Sequence, residues 1–287
     1  MIAILLSTYN GEKYIKEQID SLLNQSIADW FLMIRDDGSS DRTIEIIKDY
    51  CAAYPQKILI DESVTENLGA GKSFMHLLEK VDADYYMFCD QDDVWMSDKI
   101  IRTWNKLKKL ENIYDSNCPI GVFTDLEVVD SNLNVLMPSL WQGDNRHPEY
   151  THNFYKQWIN RHAVYGCTIM INKAAKQIVL PYRQFEGIQG GHDTWIEYNL
   201  IKRGYIDYLN ETTIHYRQHG DNVIGANMGI TYLDELKNIA IKPHLLFTKL
   251  IKDYKRTRLF PFKISFSKIL YYRIVQSLST IVRYGRL

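Results

Sequence analysis

The chain has 287 residues, 46% hydrophobic and 24% charged, enough to bury the core of one large α/β domain or two smaller ones. A net charge of −1 supplies no global basic field, which argues against nucleic acid as a partner. That charge is uneven: from Ile230 onward twelve Lys or Arg face only Asp234, Glu235 and Asp253, so the tail carries +9 and residues 1–229 carry −10.

Ile2 to Ser7 reads as a buried strand with Ser7-Thr8-Tyr9-Asn10-Gly11 as its exit loop. Tyr14, Ile15, Ile19, Leu22 and Leu23 then recur at helical spacing. Trp30–Arg35 predicts a second strand closed by Asp36-Asp37-Gly38-Ser39-Ser40-Asp41, and a helix follows through Ile44, Ile47 and Cys51. Lys57–Ile60 is a third strand, Lys72–Lys80 a helix, and Tyr85–Cys89 a fourth strand. This β-α-β-α-β-α-β alternation predicts an α/β fold, an open, mostly parallel sheet with helices on both faces. Further helices are expected over Ser97–Glu111, Lys173–Val179 and His192–Arg203. Strands are expected at Gly121–Val129, Gly166–Ile171, Tyr205–Leu209 and Thr213–Tyr216. Residues 141–161 show little periodicity, as loops at active sites often do.

Asp90-Gln91-Asp92-Asp93 places three carboxylates at a strand end, where open α/β sheets bind ligands. Hard carboxylate oxygens suit Mg²⁺ or Mn²⁺ held jointly with substrate phosphates. The bland alternative is a solvated turn before a helix capped by Ser97 or Asp98. Thr8-Tyr9-Asn10, Asp36-Asp37 and this acidic run each follow a successive parallel strand, so they converge on one edge. Gly69-Ala70-Gly71-Lys72-Ser73 is not a phosphate loop, because Glu66 stands where the first glycine is needed. Cys51, Cys89, Cys118 and Cys167 form no CxxC pair, and reduced, buried thiols of a cytosolic protein are expected. His215 and His219, four apart, suggest zinc but lack a third His or Cys nearby in the sequence.

Taken in order, Ser7-Thr8-Tyr9-Asn10, Arg35-Asp36-Asp37-Gly38-Ser39-Ser40-Asp41, Asn67-Leu68-Gly69 and Asp90-Gln91-Asp92-Asp93 resemble the motifs of inverting family 2 glycosyltransferases with the GT-A fold. The resemblance covers about residues 2–225. It implies nucleotide-sugar binding by Thr8, Tyr9, Asn10, Asp36, Asp37, Asn67, Gly69, Asp90, Gln91 and Arg217, with Asp37 accepting from a pyrimidine imide N–H. It implies a DxD metal site at Asp90 and Asp92, with His219 near the metal and Arg217 countering phosphate charge. Asp93 either assists or caps the next helix. Gly190-Gly191-His192-Asp193 resembles the acceptor-side motif, where Asp193 serves as general base. The family often shows Glu-Asp there, so His192 departs from the pattern. The bland alternative is that Asp193 is an acidic residue favoured in a first helical turn. Trp95, His192 and Trp195 are placed in the acceptor and sugar pocket. The Arg217-Gln218-His219-Gly220 run is most similar to rhamnosyltransferases, which implies dTDP-L-rhamnose; a UDP-hexose remains open. Trp141, Trp158 and Trp195 would then wall the 6-methyl group, with sugar choice set by loops 141–165 and 183–191. Partners implied are the dTDP- or UDP-linked donor and a saccharide or lipid-linked acceptor of bacterial surface-polysaccharide assembly.

The expected domains are a catalytic unit, 1–229, and a basic amphipathic helical extension, 230–287. That extension can lie on an anionic membrane surface, pack on the body, or contact a second copy in a homodimer. No run approaches about 18 apolar residues, and Met1–Leu6 is too short for a signal peptide. The expected location is therefore cytoplasmic, or peripheral on the inner face of the membrane. The rival of another class is a non-catalytic scaffold recruiting partners through the tail.

Overall fold

A computed structural model describes residues 1–160, 162–183 and 191–219, and beyond them 250–251, 254–255, 257, 260 and 262–284, with side chains to 276. The strands are β1 (Ile2–Thr8), β2 (Trp30–Asp36), β3 (Ile58–Ile60), β4 (Tyr85–Cys89), β5 (Val94–Trp95), β6 (Ile120–Val129), β7 (Val135–Met137), β8 (Met170–Asn172) and β9 (Tyr205–Arg217). The helices are α1 (Ile15–Leu23), α2 (Thr43–Ala53), α3 (Ala70–Lys80), α4 (Lys99–Tyr114), α5 (Leu140–Gly143), α6 (Phe154–Ile159), α7 (Lys173–Val179), α8 (His192–Arg203) and α9 (Phe266–Tyr284).

The strands form one sheet in the order β3-β2-β1-β4-β8-β6-β9-β5, with β7 hydrogen-bonded to β6. β1 to β4 are mutually parallel, as are β6 and β9. β8 runs antiparallel to both β4 and β6, so β6 points the same way as β4. The C-terminal ends of β1, β2, β4, β6 and β9 therefore share one edge.

Alternation along β1 shows why this sheet is covered on both faces. Ile2, Ile4 and Leu6 enter a core with Ile15, Ile19 and Leu22 of α1 and Ile100 and Leu107 of α4. Ala3 and Leu5 enter the opposite core with Phe74, Leu77 and Leu78 of α3 and Ile196 and Leu200 of α8. A strand buried on both faces needs an unbroken apolar run, which Ile2–Leu6 supplies.

Several sequence expectations change. Residues 140–159 hold α5, a 3-10 turn (Pro148–His152) and α6, too short for a periodic signal. Gly166–Ile171 splits into a 3-10 turn (Gly166–Thr168) and the antiparallel β8. The two strands expected at 205–216 are one, β9, whose pairing with β6 shifts register at Asp125 and Glu127. That irregularity explains the polar Asn210-Glu211 interruption that reads as a break. β5 pairs antiparallel with β9, a long-range contact with no local signature.

Candidate active site

Parallel register sets Thr8 beside Asp36 and Leu6 beside Cys89, so three exit loops meet at the sheet edge. Asp36 organises its own turn. Its Oδ1 accepts from Thr8 Oγ1 at 2.9 Å and Ser39 Oγ at 2.5 Å, and its Oδ2 accepts from the Gly38 and Ser39 N–H groups at 3.0 and 2.8 Å. Asn10, at φ 49°, accepts at Oδ1 from Ser40 N at 2.8 Å and ties the first loop to the second. Gln91 clamps the first loop to the acidic one, with Oε1 accepting from Tyr9 N at 2.9 Å and Nε2 donating to Tyr9 O at 3.0 Å. The Tyr9 ring stays 52% exposed at the mouth.

Asp37 lies beneath this surface, 3% exposed. Its Oδ1 accepts from Arg35 Nη1 at 2.5 Å and Leu68 N at 2.7 Å, and its Oδ2 accepts from Gly69 N at 2.8 Å. Asn67 Nδ2 donates to Asp37 O at 2.8 Å, and Gly69 adopts φ 77°, a region that favours glycine. Asn67 and Gly69 thus serve Asp37. The wholly buried Arg35 also reaches Ser73 Oγ at 2.8 Å and Glu66 O at 2.6 Å.

Beyond β4, the chain turns through Asp90–Asp93 and returns as β5 along β9, with Val94 opposite His215. This pairing brings the end of β9 against the acidic loop. His219 Nε2 lies 2.9 Å from Asp92 Oδ2. Arg217 is 2% exposed, donating to Asp92 O at 2.9 Å, Ser131 O at 2.6 Å and the Glu17 carboxylate. These bonds correct the expectation that it meets phosphate: its guanidinium is turned into the body. His215 instead pairs with Glu127 at 2.6 Å, so the two histidines serve different carboxylates and form no zinc pair.

Asp93 is wholly buried and accepts from Arg217 N at 3.2 Å; it caps no helix, since Asp98 occupies the N-cap position of α4. Asp90, Asp93 and Cys167 each place a ligand atom within 4.8 Å of the others. Burial first, then the charges of Asp92 and Asp193, push Asp90 up to about 7. Burial and the charges of Asp92 and Asp90 push Asp93 well above the usual carboxylate range. Burial lowers the Lys99 amine, in the same pocket, to about 8. Negative charge crowded in this way is what a divalent ion relieves, and the carboxylate oxygens of Asp90 and Asp92 fit a hard one.

Across the cleft Asp193 opens α8. Its Oδ1 accepts from Gly191 N at 3.1 Å and Thr194 N at 2.7 Å, while no described bond holds Oδ2. His192, 7% exposed, packs its ring on Phe74 at 4.3 Å and Phe88 at 5.0 Å between centroids. Burial lowers it to about 4, so it is a neutral packing group and not a pocket wall. A Cβ at Gly166 would lie 2.6 Å from its Nε2, which is why a glycine faces it. Trp95 and Trp195, each 2% exposed, are core residues too; Trp195 Nε1 donates to Val179 O at 2.6 Å. Their placement in the sugar pocket is corrected, because an indole at these positions completes the packing beneath the edge. Trp158 lies partly buried, stacked on Phe154. Trp141 lines a cavity of about 360 Å³ with Gln142, Arg146, Tyr208 and Asn210. Most of the 183–191 loop, Gly220 and residues 221–249 lie outside the described residues.

Cys167 escaped the sequence reading because it stands far from the acidic loop in the chain, and Lys99 because a lysine in the first turn of a helix reads as solvent-facing. So did the buried Glu197, one helical turn after Asp193, whose Oε2 lies 2.8 Å from His162 Nδ1.

The family model described as Glycosyl transferase family 2 matches residues 3–179. The dTDP-rhamnosyl transferase RfbG of Shigella flexneri is 32% identical over 234 residues, covering 78% of this chain and 74% of that one. TuaG of Bacillus subtilis, a glycosyltransferase named for teichuronic acid biosynthesis, is 28% identical over 76% of this chain and 79% of its own. Among solved structures, S. aureus TarS 1-349 in complex with UDP-GlcNAc superposes with a TM-score of 0.55 at 17% identity. That match covers 84% of this chain and 65% of the TarS chain, slightly under two thirds of its length. Family model, relatives and GT-A architecture agree, and the chain belongs to glycosyl transferase family 2.

Proposed function

We propose that this glycosyltransferase moves a sugar, with inversion, from a nucleoside-diphosphate donor to a saccharide or lipid-linked acceptor of bacterial surface polysaccharide, using Mg²⁺ or Mn²⁺. The observation that carries the reading is geometric. Parallel β1, β2 and β4 deliver Thr8, Asp36 and the acidic loop after Cys89 to one sheet edge, and Asp193 at the start of α8 lies near enough for its charge to act on Asp90.

The roles follow from the geometry. The exposed Tyr9 ring edges the space for base and ribose, while the buried Thr8 and Asp37 hold the loops that shape it. Asp90 and Asp92 would hold the ion, with His219 steadying Asp92. When bound, the ion supplies positive charge to the departing diphosphate. Asp193, fixed through Oδ1, presents Oδ2 to the acceptor hydroxyl and takes its proton as the oxygen attacks the anomeric carbon. A single displacement from the face opposite the diphosphate inverts the centre. Asp193→Asn is expected to lower transfer about 10²–10⁴-fold with nucleotide affinity unchanged; undiminished transfer would remove Asp193 as the base.

The name of RfbG, a dTDP-rhamnosyl transferase, favours dTDP-L-rhamnose, and the UDP-GlcNAc complex of TarS keeps a UDP-hexose as the alternative. The Trp141–Tyr208 cavity supports an acceptor or sugar site there. No helix among the described residues is long and apolar enough to cross a membrane. We place the protein in the cytoplasm, with the basic tail peripheral on an anionic membrane. Calorimetric titration with dTDP and with UDP, each with and without Mn²⁺, tests the reading. Metal-dependent binding that favours dTDP supports the rhamnose donor, and a UDP preference moves the donor to a hexose. Binding of neither by folded protein would put a non-catalytic scaffold first.

A further inference from the structure

The acidic loop has an inner side that the nucleotide reading leaves unused. Asp93 is wholly buried, and its Oδ2 has no hydrogen-bond partner. Cys167, 2% exposed, projects its thiol into the same pocket from the 3-10 turn Gly166–Thr168. The ligand atoms of Asp93, Asp90 and Cys167 lie within 4.8 Å of one another. Lys99, the cation nearby, donates to Thr213 Oγ1 at 3.3 Å, and no described salt bridge joins it to either carboxylate.

We propose that Asp90, Asp93 and Cys167 form a second cation site, selective for a thiophilic divalent ion such as Zn²⁺, on the inner side of the loop. Two carboxylate oxygens and one sulfur make a borderline donor set, unlike the all-oxygen set that Mg²⁺ prefers. Three protein ligands with a water in the fourth position satisfy tetrahedral zinc. As the metal bonds form, the Cys167 thiol proton and the carboxyl protons that burial favours on Asp93 and Asp90 leave to solvent. The buried Asp93 Oδ2, which lacks a hydrogen-bond partner, gains a metal bond, and the ion neutralises the charge that those proton losses leave. Asp90 belongs to both sides of the loop, so an ion held here withdraws it from the diphosphate. That consequence rests on the nucleotide reading; the site itself does not.

The test uses Co²⁺ as a spectroscopic stand-in, added to the full-length reduced protein. The expected result is a near-ultraviolet sulfur-to-cobalt charge-transfer band that saturates at one equivalent and is displaced by Zn²⁺ but not by Mg²⁺. The band should vanish in Cys167→Ser and persist in Cys89→Ser. Asp93→Asn, which keeps the shape of the side chain, should weaken cobalt affinity at least tenfold. Absence of the band in the wild-type protein, or its survival in Cys167→Ser, would overturn the site. Should Cys167→Ser misfold, Asp93→Asn decides: unchanged cobalt affinity would overturn the site. Failure of Mn²⁺ to support dTDP or UDP binding would defeat the nucleotide reading and leave this spectrum untouched.

Discussion

Arg35 illustrates how one residue can hold a loop that other residues use. Its guanidinium is wholly buried against a carboxylate that is itself 3% exposed, so neither charge has water to fall back on. Removing one member of such a pair strands the other, at a cost of about 3–5 kcal/mol. Arg35→Ala is therefore expected to lower the urea midpoint sharply and to free Asn67-Leu68-Gly69 from Asp37. A midpoint within error of wild type would show that water reaches Asp37 after all. Gln91, by contrast, holds the Tyr9 backbone from the surface. Gln91→Ala should leave the midpoint nearly unchanged and weaken nucleotide binding in the same calorimetric titration, since two loops lose their clamp.

At the scale of elements, the junction from α8 to β9 turns a helix that carries Asp193 into a strand that carries Arg217 and His219 toward the same edge. Gly204 makes the turn: a Cβ there would lie 2.3 Å from the Pro119 carbonyl oxygen, a backbone atom that cannot swing aside. Gly204→Ala is expected to destabilise the fold by about 1–3 kcal/mol through overpacking, read as a lower melting temperature. The mechanism predicts little loss from Gly191→Ala, where the nearest contact of a Cβ is 3.6 Å. Equal losses at both positions would mean that glycine entropy, and not the Pro119 contact, sets the cost.

At the scale of the whole molecule, the described residues beyond 249 pack back on the body. Phe260 stacks on Trp195 at 6.0 Å, Tyr272 lies parallel to Tyr155 at 5.7 Å, and Arg273 Nη1 donates to Ile159 O at 3.1 Å. The tail thus packs on the body through α6, while Tyr271, Ile274 and Val275 of α9 remain exposed for other contacts. Truncation after residue 229 should expose the aromatic face around Trp195, lower the melting temperature and raise binding of an apolar dye. The same truncation should weaken binding to anionic liposomes; equal binding would place the membrane contact elsewhere. A pH effect also belongs to the whole fold. Burial lowers His162, but the charge and hydrogen bond of Glu197 outweigh it and hold the imidazole above its ordinary 6.5. A raised histidine contributes stability that is complete below 6.5 and is lost as pH rises through the folded value. Melting temperature should accordingly fall as pH rises from 6.5 through the raised value, and His162→Asn should flatten that slope.

Local pattern carried much of this protein. The apolar runs ending at Thr8, Asp36 and Cys89 specify parallel buried strands, and strands in parallel must deliver their exit loops to one edge. The α/β class and the meeting of Thr8, Asp36 and Asp90 therefore followed from order and spacing alone. What the chain order could not express was which face each side chain takes at that edge. Trp95, His192 and Trp195 sit in motif-like stretches yet turn inward, because the packing beneath the loops needs aromatic volume. Arg217 is consumed by Glu17 of α1 and by Ser131 just past β6, residues brought to it only when β9 pairs with β6 and β5. Cys167 reaches Asp90 and Asp93 across 74 residues or more because β8 inserts antiparallel between β4 and β6. Such contacts are set by long-range pairing, for which a linear pattern holds no signal, and so the tertiary structure alone decided them.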